Sequence, residues 1–462
     1  MSAVALPRAL VAPPRISGDD RLKSTNVTLY PANASGATSF SPTNNSRIVF
    51  NIPAYAKSFI NPKRTYLSFT ITKTGAQAET KVINNCPWID RLTLKAGSQM
   101  VEDIQDYSTL ERAMAQFEGV DKMESRAHLV GDYTDIIRKF AQSAEVQPAG
   151  DPNATGSAAT ALIAKVQALQ QAGRTYTKPL LSGVIGKDQE FYVPVGLFEG
   201  SGAHALQMEL YLAKDDQVCV RNTSSTATPT YTISNVGLHL EVVELPERAM
   251  GAFNEAVMAG GMVSLPYATS RVFRQYVPSA QTSIDMNIVE SAKNVEQVVL
   301  AMRNQANLSG YYTADLDGTV SDPFDLEGGS TSSAPVTQYQ FRYGVAHYPP
   351  APVENLGGSL PTVLQAMSSM DMLDKAVRLT SLDKDGEAVF EKTGFLIAQG
   401  FKTSADDIEN GLNTASSGAP LELKLKFASN ILNLALFAFV KSTYSLNIKT
   451  GGNVTLVDGR MV

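Results

Sequence analysis

The chain has 462 residues, with 39 Lys and Arg against 45 Asp and Glu, so its formal net charge is −6 at pH 7. Hydrophobic residues make up 44% and charged residues 18%, a composition that excludes a chain disordered throughout. The acidic balance argues against a protein that binds nucleic acid by neutralising phosphates, and no sequence-specific nucleic-acid binding is expected. The length predicts two or three domains, each able to bury a core.

The N-terminal 26 residues are rich in proline and lack periodicity, so they predict an extended arm. Pro7, Arg8 and Pro13 interrupt any apolar stretch that a cleaved signal peptide needs. The longest strongly apolar run, residues 431–440, is about half of the roughly 20 residues of a membrane helix. We therefore expect a soluble protein that is not secreted by a cleaved signal.

Most of the chain reads as β-strand. Short runs such as 47–52, 65–72 and 206–212 alternate apolar and polar residues, and β-branched and aromatic residues are frequent in them. Similar runs continue from residue 271 to residue 448, with Gly, Pro and Asn between them. This spacing favours antiparallel sandwiches over alternating strands and helices.

A few helices interrupt the strands. Asp103 is expected to cap a helix that begins at Ile104 and ends at Gly119, the first part of a helical insertion spanning about residues 104–173. Pro246 suits a first helical position, and Met250, Phe253 and Val257 would share one face, so residues 246–261 predict a crossover helix. A last helix is predicted to begin near Pro361.

Internal repetition supports a duplicated architecture. The strand at Leu206 and the strand at Leu421 are 215 positions apart, and each follows a Gly-Leu pair at the same distance. The strands at Ile89 and Val295 are 206 positions apart and form a second candidate pair. The near-constant offset predicts two related domains.

No arrangement of residues indicates catalysis, and neither a catalytic, a cofactor-binding nor a metal site is expected. The histidines lie too far apart in sequence for a local zinc motif. The two cysteines lack a C-x-x-C partner and form no disulfide framework, which suits a reducing compartment. These residues are His128, His204, His239, His347, Cys86 and Cys219.

Three weaker patterns have a structural interpretation and a functional alternative. Gly183 to Asp188 resembles a phosphate-binding loop, but it leads into a strand rather than a helix. The acidic turns at 315–325 and 383–387 are expected to be exposed turns, with a cation site as the alternative. Trp88 is expected to anchor the core, with an aromatic carbohydrate groove as the alternative.

Several stretches resemble one known family, the double jelly-roll major capsid proteins of tailless membrane-containing phages, adenoviruses and giant-virus relatives. By sequence the nearest branch is that of virophages and polinton-like viruses. The resemblance is carried by the following stretches: Phe50-Asn-Ile-Pro, Arg64-Thr-Tyr-Leu-Ser-Phe, Trp88-Ile-Asp-Arg-Leu-Thr-Leu-Lys-Ala-Gly, Glu102-Asp-Ile-Gln-Asp-Tyr-Ser-Thr-Leu, Tyr231-Thr-Ile-Ser-Asn-Val-Gly-Leu, Gly411-Leu-Asn-Thr and Pro420-Leu-Glu-Leu-Lys-Leu.

The resemblance implies an all-β fold of two tandem antiparallel eight-stranded jelly rolls, residues 27–245 and 262–462. It also implies a homotrimeric, pseudo-hexameric capsomer that tiles an icosahedral shell around a double-stranded DNA genome. Expected partners are neighbouring capsomers, minor capsid and penton proteins, and an underlying membrane in some members. The protein would be a virion component, made in the host cytoplasm or nucleus. The alternatives are a penton or spike base, and a β-sandwich carbohydrate-binding protein or glycosidase.

Overall fold

The structure is a computed structural model, and its description covers most of the two sandwiches. The described residues are 4–5, 23–33, 39–54, 57–74, 80–81, 87–119, 129–131, 168, 172–198, 206–222, 226–277, 280–311, 313–314, 324–332, 334–382, 388–402, 411–416, 419–431, 433–449 and 454–458.

The first half of the chain forms two antiparallel sheets that face each other, here called the first sandwich. One sheet has the strand order β2-β12-β5-β9 and the other the order β4-β10-β7-β8. Alternate residues such as Phe50, Leu67 and Leu210 point between the sheets and are buried. The strands are β1 Val4–Ala5, β2 Lys23–Leu29, β3 Ser39–Phe40, β4 Arg47–Ile52, β5 Ser58–Lys73, β6 Thr80–Lys81, β7 Ile89–Ala96, β8 Gln99–Gln105, β9 Arg174–Pro179, β10 Leu206–Leu212, β11 Val220–Asn222 and β12 Tyr231–Glu244.

The second half repeats this arrangement in the second sandwich. Its sheets have the orders β13-β21-β15-β19 and β14-β20-β17-β18, and the pairings within them are antiparallel. The strands are β13 Met262–Val277, β14 Gln281–Ile288, β15 Val295–Asn304, β16 Thr313–Ala314, β17 Val336–Tyr343, β18 Ala346–Glu354, β19 Leu396–Gly400, β20 Leu421–Ile431, β21 Leu434–Lys449 and β22 Val454–Asp458.

Both sandwiches have the same topology. When the eight principal strands of each are numbered along the chain, one sheet has the order 1-8-3-6 and the other the order 2-7-4-5. This is the order of a jelly roll, in which two Greek keys close the sheets on each other. The expected fold class, an all-β double jelly roll, is therefore confirmed.

The topology separates the two candidate sequence repeats. The strands at Leu206 and Leu421, β10 and β20, are both seventh in their sandwiches, so this pairing is confirmed. The pairing of Ile89 with Val295 is wrong, because β7 is the fourth strand of the first sandwich and β15 is the third of the second. Alternating apolar strands resemble one another whatever their position, which explains the error.

The sheet β13-β21-β15-β19 is buried on both faces. On β21, Leu436, Ala438 and Val440 face the interior of the second sandwich, whereas Phe437 and Phe439 belong to the core cluster of the first. A strand covered on both faces has no polar side, so its residues read as one continuous apolar run. This accounts for the apolar stretch noted at residues 431–440.

The helices lie mostly in the connections between strands. The predicted helix start at Asp103 and Ile104 is wrong, because both residues lie on β8 and the first helix begins at Tyr107. Residues 120–128 and most of 132–171, which make up most of the expected helical insertion after Gly119, lie outside the described residues. The α-helices that lie within the described ranges and have defined bounds are α1 Tyr107–Ala115, α2 Asp215–Val218, α3 Glu247–Gly260, α4 Leu360–Ser369 and α5 Val389–Lys392.

Two N-terminal strands join these sheets. β2 begins at Lys23, so residues 23–26 of the expected arm pair with β12. β1 pairs in parallel with the start of β13, opposite Val263 and Ser264. Helix α3 connects β12 to β13, and it buries Met250, Phe253 and Val257 as the spacing predicted.

Candidate assembly surfaces

The junction between the two sandwiches is formed by β8, α1 and the loop at residues 180–189 of the first sandwich. These elements cover the outer face of β13-β21-β15-β19. Tyr267 on β13 is buried here, and its hydroxyl donates to the carbonyl of Val101 on β8 over 2.8 Å. The apolar cluster of the first sandwich continues without a break onto the outer face of this sheet, so both sandwiches contribute to it, and we call this cluster the shared core. The interior of the second sandwich forms a separate cluster.

Glu102 is the buried polar anchor of this junction. Its carboxylate accepts hydrogen bonds from the Ser182 hydroxyl and, at 2.7 Å, from the backbone N–H of Gly183. Burial raises the pKa of Glu102, and these donors only partly offset that effect. Glu102 therefore fixes the 180–189 loop against β8.

The glycine at position 183 allows the 180–189 loop to touch β13. A Cβ at this position would lie 1.9 Å from the carbonyl oxygen of Ala268. Gln189 completes the contact, because its Nε2 donates to the carbonyls of Gly183 at 2.9 Å and Pro266 at 3.1 Å. The pattern at residues 183–188 thus serves close packing, and Lys187 pairs with Glu118 at 3.1 Å.

Helix α1 adds charged contacts to the second sandwich. Arg303 on β15 donates to Oγ1 of Thr109 over 2.8 Å, and its guanidinium lies 4.1 Å from the ring centroid of Phe324. Arg112 is buried and pairs with Asp325 at 3.3 Å. Charge-assisted hydrogen bonds of this kind fix orientation more sharply than apolar packing does.

The end of α1 is tied to the second sandwich through backbone groups. Leu379 N–H donates to the carbonyl of Gln116 at 2.9 Å, and Arg378 N–H donates to that of Glu118 at 3.0 Å. These bonds satisfy carbonyls that a helix end leaves without an intrahelical donor. The long connections that follow the fifth strand of each sandwich are therefore bonded to each other.

The outer face of β4-β10-β7-β8 carries an ion-pair network. Glu209 on β10 accepts from Lys95 Nζ at 3.0 Å and from the Tyr211 hydroxyl at 2.8 Å, with Arg47 at 3.6 Å. Burial acts to raise the pKa of Glu209, but these partners outweigh it and the pKa is lowered. The network gives this face a fixed pattern of charge.

The outer face of β14-β20-β17-β18 is charged but more exposed. Lys424 lies opposite Asp285, and Glu422 lies opposite Arg342, with 3.8 Å between the charged atoms of the second pair. Such exposed pairs contribute about 0–1 kcal/mol to stability. They give this face a pattern of alternating charges.

Helix α4 and the turn before it carry three exposed leucines. Leu356, Leu360 and Leu364 are spaced by four residues and are 84%, 54% and 49% exposed. The opposite face of α4 buries Val363, Ala366 and Met367. We call Leu356, Leu360 and Leu364 the leucine stripe.

The structure describes two of the four histidines. His239 on β12 stacks on Tyr66 with 4.5 Å between the ring centroids, and it shares hydrogen bonds with Ser68 and Thr28. Burial lowers the pKa of His239. His347 lies on β18 and is exposed. His128 and His204 lie outside the described residues.

The other candidate residues are dispersed. Cys219 is buried, and burial raises its pKa to about 11, which disfavours the reactive thiolate. Trp88 is fully buried against Phe69, so the expectation of a core anchor is confirmed. Asp325 is the described member of the first acidic turn and pairs with Arg112. Cys86, Asp315, Asp317, Asp322 and residues 383–387 lie outside the described residues.

The described residues contain neither a metal-binding cluster nor a membrane-spanning helix. No group of three or more His, Cys, Asp or Glu side chains there is placed to hold a metal ion. No helix in the same part of the chain has both the length and the apolar content needed to cross a membrane.

A cavity of ≈ 80 Å³ opens at the junction, beside Met114, Leu181, Gln189 and Tyr267. Its lining includes one carboxylate, that of Asp188, together with the ammonium group of Lys441. Glycoside hydrolysis generally uses a pair of carboxylates, so this cavity does not fit that chemistry.

Sequence comparison finds no relatives: no protein-family model matches the chain, and no curated protein matches it significantly. Solved structures do match. The PBCV-1 virus capsid shares 11% identity at a TM-score of 0.59 and covers 95% of this chain and 97% of its own. The Faustovirus major capsid protein shares 9% sequence identity at a TM-score of 0.58, and the match covers 93% of this chain and 91% of the Faustovirus protein. The chain matched in the Sputnik virophage structure shares 9% sequence identity at a TM-score of 0.55, and the match covers 95% of this chain and 88% of the matched chain.

At these identities the likeness concerns the fold. Both sandwiches are included in each match, because at least 93% of this chain is covered. The chain therefore has the double jelly-roll fold of these viral capsid proteins.

Proposed function

We propose that the protein is a viral major capsid protein that forms homotrimeric capsomers of pseudo-hexameric shape. The observation that carries this proposal is the repeated jelly-roll order in two sandwiches joined by a common core. Three such chains would place six similar sandwiches in a ring, and six-sided units can tile a shell. The double jelly-roll fold, shared with viral capsid structures over most of the chain, supports the same conclusion.

The rigid junction fits a structural role. A shell unit must keep its two halves in one orientation, and here the shared core, Glu102, Arg112 and Arg303 fix that orientation. We propose that the protein has no catalytic activity and acts within the virion. The genome would be double-stranded DNA in an icosahedral shell.

The domain limits and further partners belong to the same proposal. The first domain would extend from β2 to residue 245 and the second from residue 262 to the C-terminus, with α3 between them. Neighbouring capsomers, minor capsid proteins and penton proteins would bind the outer surfaces, with a membrane beneath in some arrangements.

The alternatives receive less support. A penton or spike base needs one jelly roll per chain, whereas this chain has two. A carbohydrate-binding protein or glycosidase needs a groove with suitable side chains, and the junction cavity has one carboxylate.

The proposal is tested by the mass of the purified protein in solution and by electron microscopy of concentrated samples. We expect a stable species of about three times the 49.6 kDa of one chain, with a six-sided outline in projection. A protein that stays monomeric at micromolar concentration would contradict the proposal.

A further inference from the structure

Helices α1 and α4 occupy equivalent places in the two sandwiches. Each is the first helix after the fifth strand, which is β8 in the first sandwich and β18 in the second. Both fifth strands lie at the edge of their sheet. The two surfaces formed by these strands and helices are therefore related by the internal repeat.

The environments of these two surfaces differ. Tyr107, the first residue of α1, is 0% exposed, whereas Leu360, the first residue of α4, is 54% exposed. The surface of β8 and α1 rests on the second sandwich, because Val101 of β8 accepts a hydrogen bond from Tyr267 on β13 and Thr109 of α1 accepts one from Arg303 on β15. The surface of β18 and α4, by contrast, leaves the leucine stripe exposed to solvent.

We propose that the surface of β18 and α4, including the leucine stripe, docks onto the β2-β12-β5-β9 sheet of a second copy of this chain. The docked sheet is the one equivalent to β13-β21-β15-β19, on which β8 and α1 already rest within the chain. The contact between copies thus repeats the contact between sandwiches. This inference rests on the proposed function and specifies its trimer contact.

The receiving sheet has a suitable outer face. Tyr66 on β5 is partly exposed and stacks on His239 of β12. Around this pair the sheet presents Thr28, Ser68 and the ion pair of Arg64 with Glu241 at 2.8 Å. An aromatic platform surrounded by polar groups suits an apolar anchor with a hydrated rim.

The donating edge avoids open-ended strand pairing. β18 carries Pro349, Pro350 and Pro352, which lack the N–H that a neighbouring strand would need. Side-chain docking through α4 is therefore favoured over extension of the sheet. Since the two surfaces differ, the contact is heterologous and closes a ring only when the rotation between copies fits.

The experiment measures the mass of three variants by mass photometry and sedimentation. The first is Leu360→Asp with Leu364→Asp, the second is Leu356→Asp alone, and the control is Val345→Asp. Val345 is 96% exposed at the opposite end of β18, so the control adds the same charge outside the stripe. Circular dichroism and the unfolding midpoint report whether each variant folds.

We expect both stripe variants to be folded monomers, with the protein concentration needed for trimers raised at least about 100-fold, while the control stays trimeric. Leu356→Asp keeps the test valid if the double variant fails to fold, because Leu356 precedes α4 and is largely solvated.

A mixing experiment tests which surfaces meet. Tyr66→Glu impairs the receiving sheet, and the leucine variant impairs the donating surface, so each alone should be monomeric. Mixed together they retain one intact pair of surfaces, and we expect a species of about twice the mass of one chain. A wild-type trimer whose stripe variants also remain trimeric would overturn this inference alone. A monomeric wild type would overturn the proposed function.

Discussion

Arg303 of the second sandwich donates a hydrogen bond to Oγ1 of Thr109 in the first sandwich, over 2.8 Å. The same guanidinium lies over the ring of Phe324, 4.1 Å from its centroid, and over the ring of Phe437, 5.9 Å from its centroid. The charge is thus placed where the two sandwiches meet and is sheltered by aromatic faces. This residue pair ties strand β15 to helix α1.

We therefore expect Arg303→Met to lower the free energy of unfolding by about 2–4 kcal/mol, because the buried polar partners lose their donor. Arg342→Met is the matched control, since Arg342 is exposed and its distance to Glu422 is 3.8 Å. The control should change stability by less than about 0.5 kcal/mol. Urea denaturation measures both, and equal effects would show that Arg303 does not join the sandwiches.

The shared core predicts that the two sandwiches unfold together. Ala301 is fully buried and faces the first sandwich from β15. Ala301→Asp places an unpaired carboxylate in the junction, so we expect a loss of at least about 3 kcal/mol and two separate transitions in calorimetry.

Ser283→Asp adds the same charge on the exposed face of β14 and should leave a single transition. A single, barely shifted transition for Ala301→Asp would show that the contact at Ala301 does not couple the two sandwiches.

Two buried glutamates should give opposite pH dependences. Burial raises the pKa of Glu102 above 4.5, so its contribution to stability is complete below that value and is lost as the pH rises through the folded pKa. For Glu296, burial acts upward but Lys441, Thr443 and Lys402 outweigh it, so the pKa is lowered. Its contribution is present above 4.5 and is lost as the pH falls through the folded pKa.

Relative to wild type, Glu102→Gln should therefore gain stability as the pH rises above about 4.5, whereas Glu296→Gln should lose stability as the pH rises towards 4.5 from more acidic values. Urea denaturation at several pH values measures the two slopes. Slopes of the same sign would contradict the assignment of either carboxylate.

Glycine 183 gives a steric test of the junction. Gly183→Ala would place a Cβ 1.9 Å from the Ala268 carbonyl oxygen, and we expect a cost of about 1–3 kcal/mol from the forced backbone shift. Gly251→Ala is the control, because that position in α3 has no atom within 4 Å of an added Cβ.

The helix control should raise stability by up to about 1 kcal/mol, since alanine favours a helix over glycine. Thermal unfolding of the two variants measures the difference. An unchanged midpoint for Gly183→Ala would show that the loop does not press against β13.

The sequence alone determined much of this protein. Alternation at β10 and β20, the Gly-Leu pairs before them and the Pro246 helix start are local patterns, and each was readable without the fold. The sequence prediction placed the start of α1 too early, because Asp103 and Ile104 also fit a β-strand. On β8 the side chain of Ile104 points into the core, whereas that of Asp103 points outward and pairs with Arg91.

The tertiary structure decided which residues form the junction and the exposed surfaces. Glu102 and Arg303 lie 201 positions apart in the sequence, and no local spacing marks either as part of a contact between sandwiches. Leu360 and Leu364 of the leucine stripe likewise look like part of an ordinary apolar helix face, and only packing shows that the opposite side of α4 is the buried one. Local patterns depend on neighbours along the chain, whereas an interface depends on strands brought together by the whole topology.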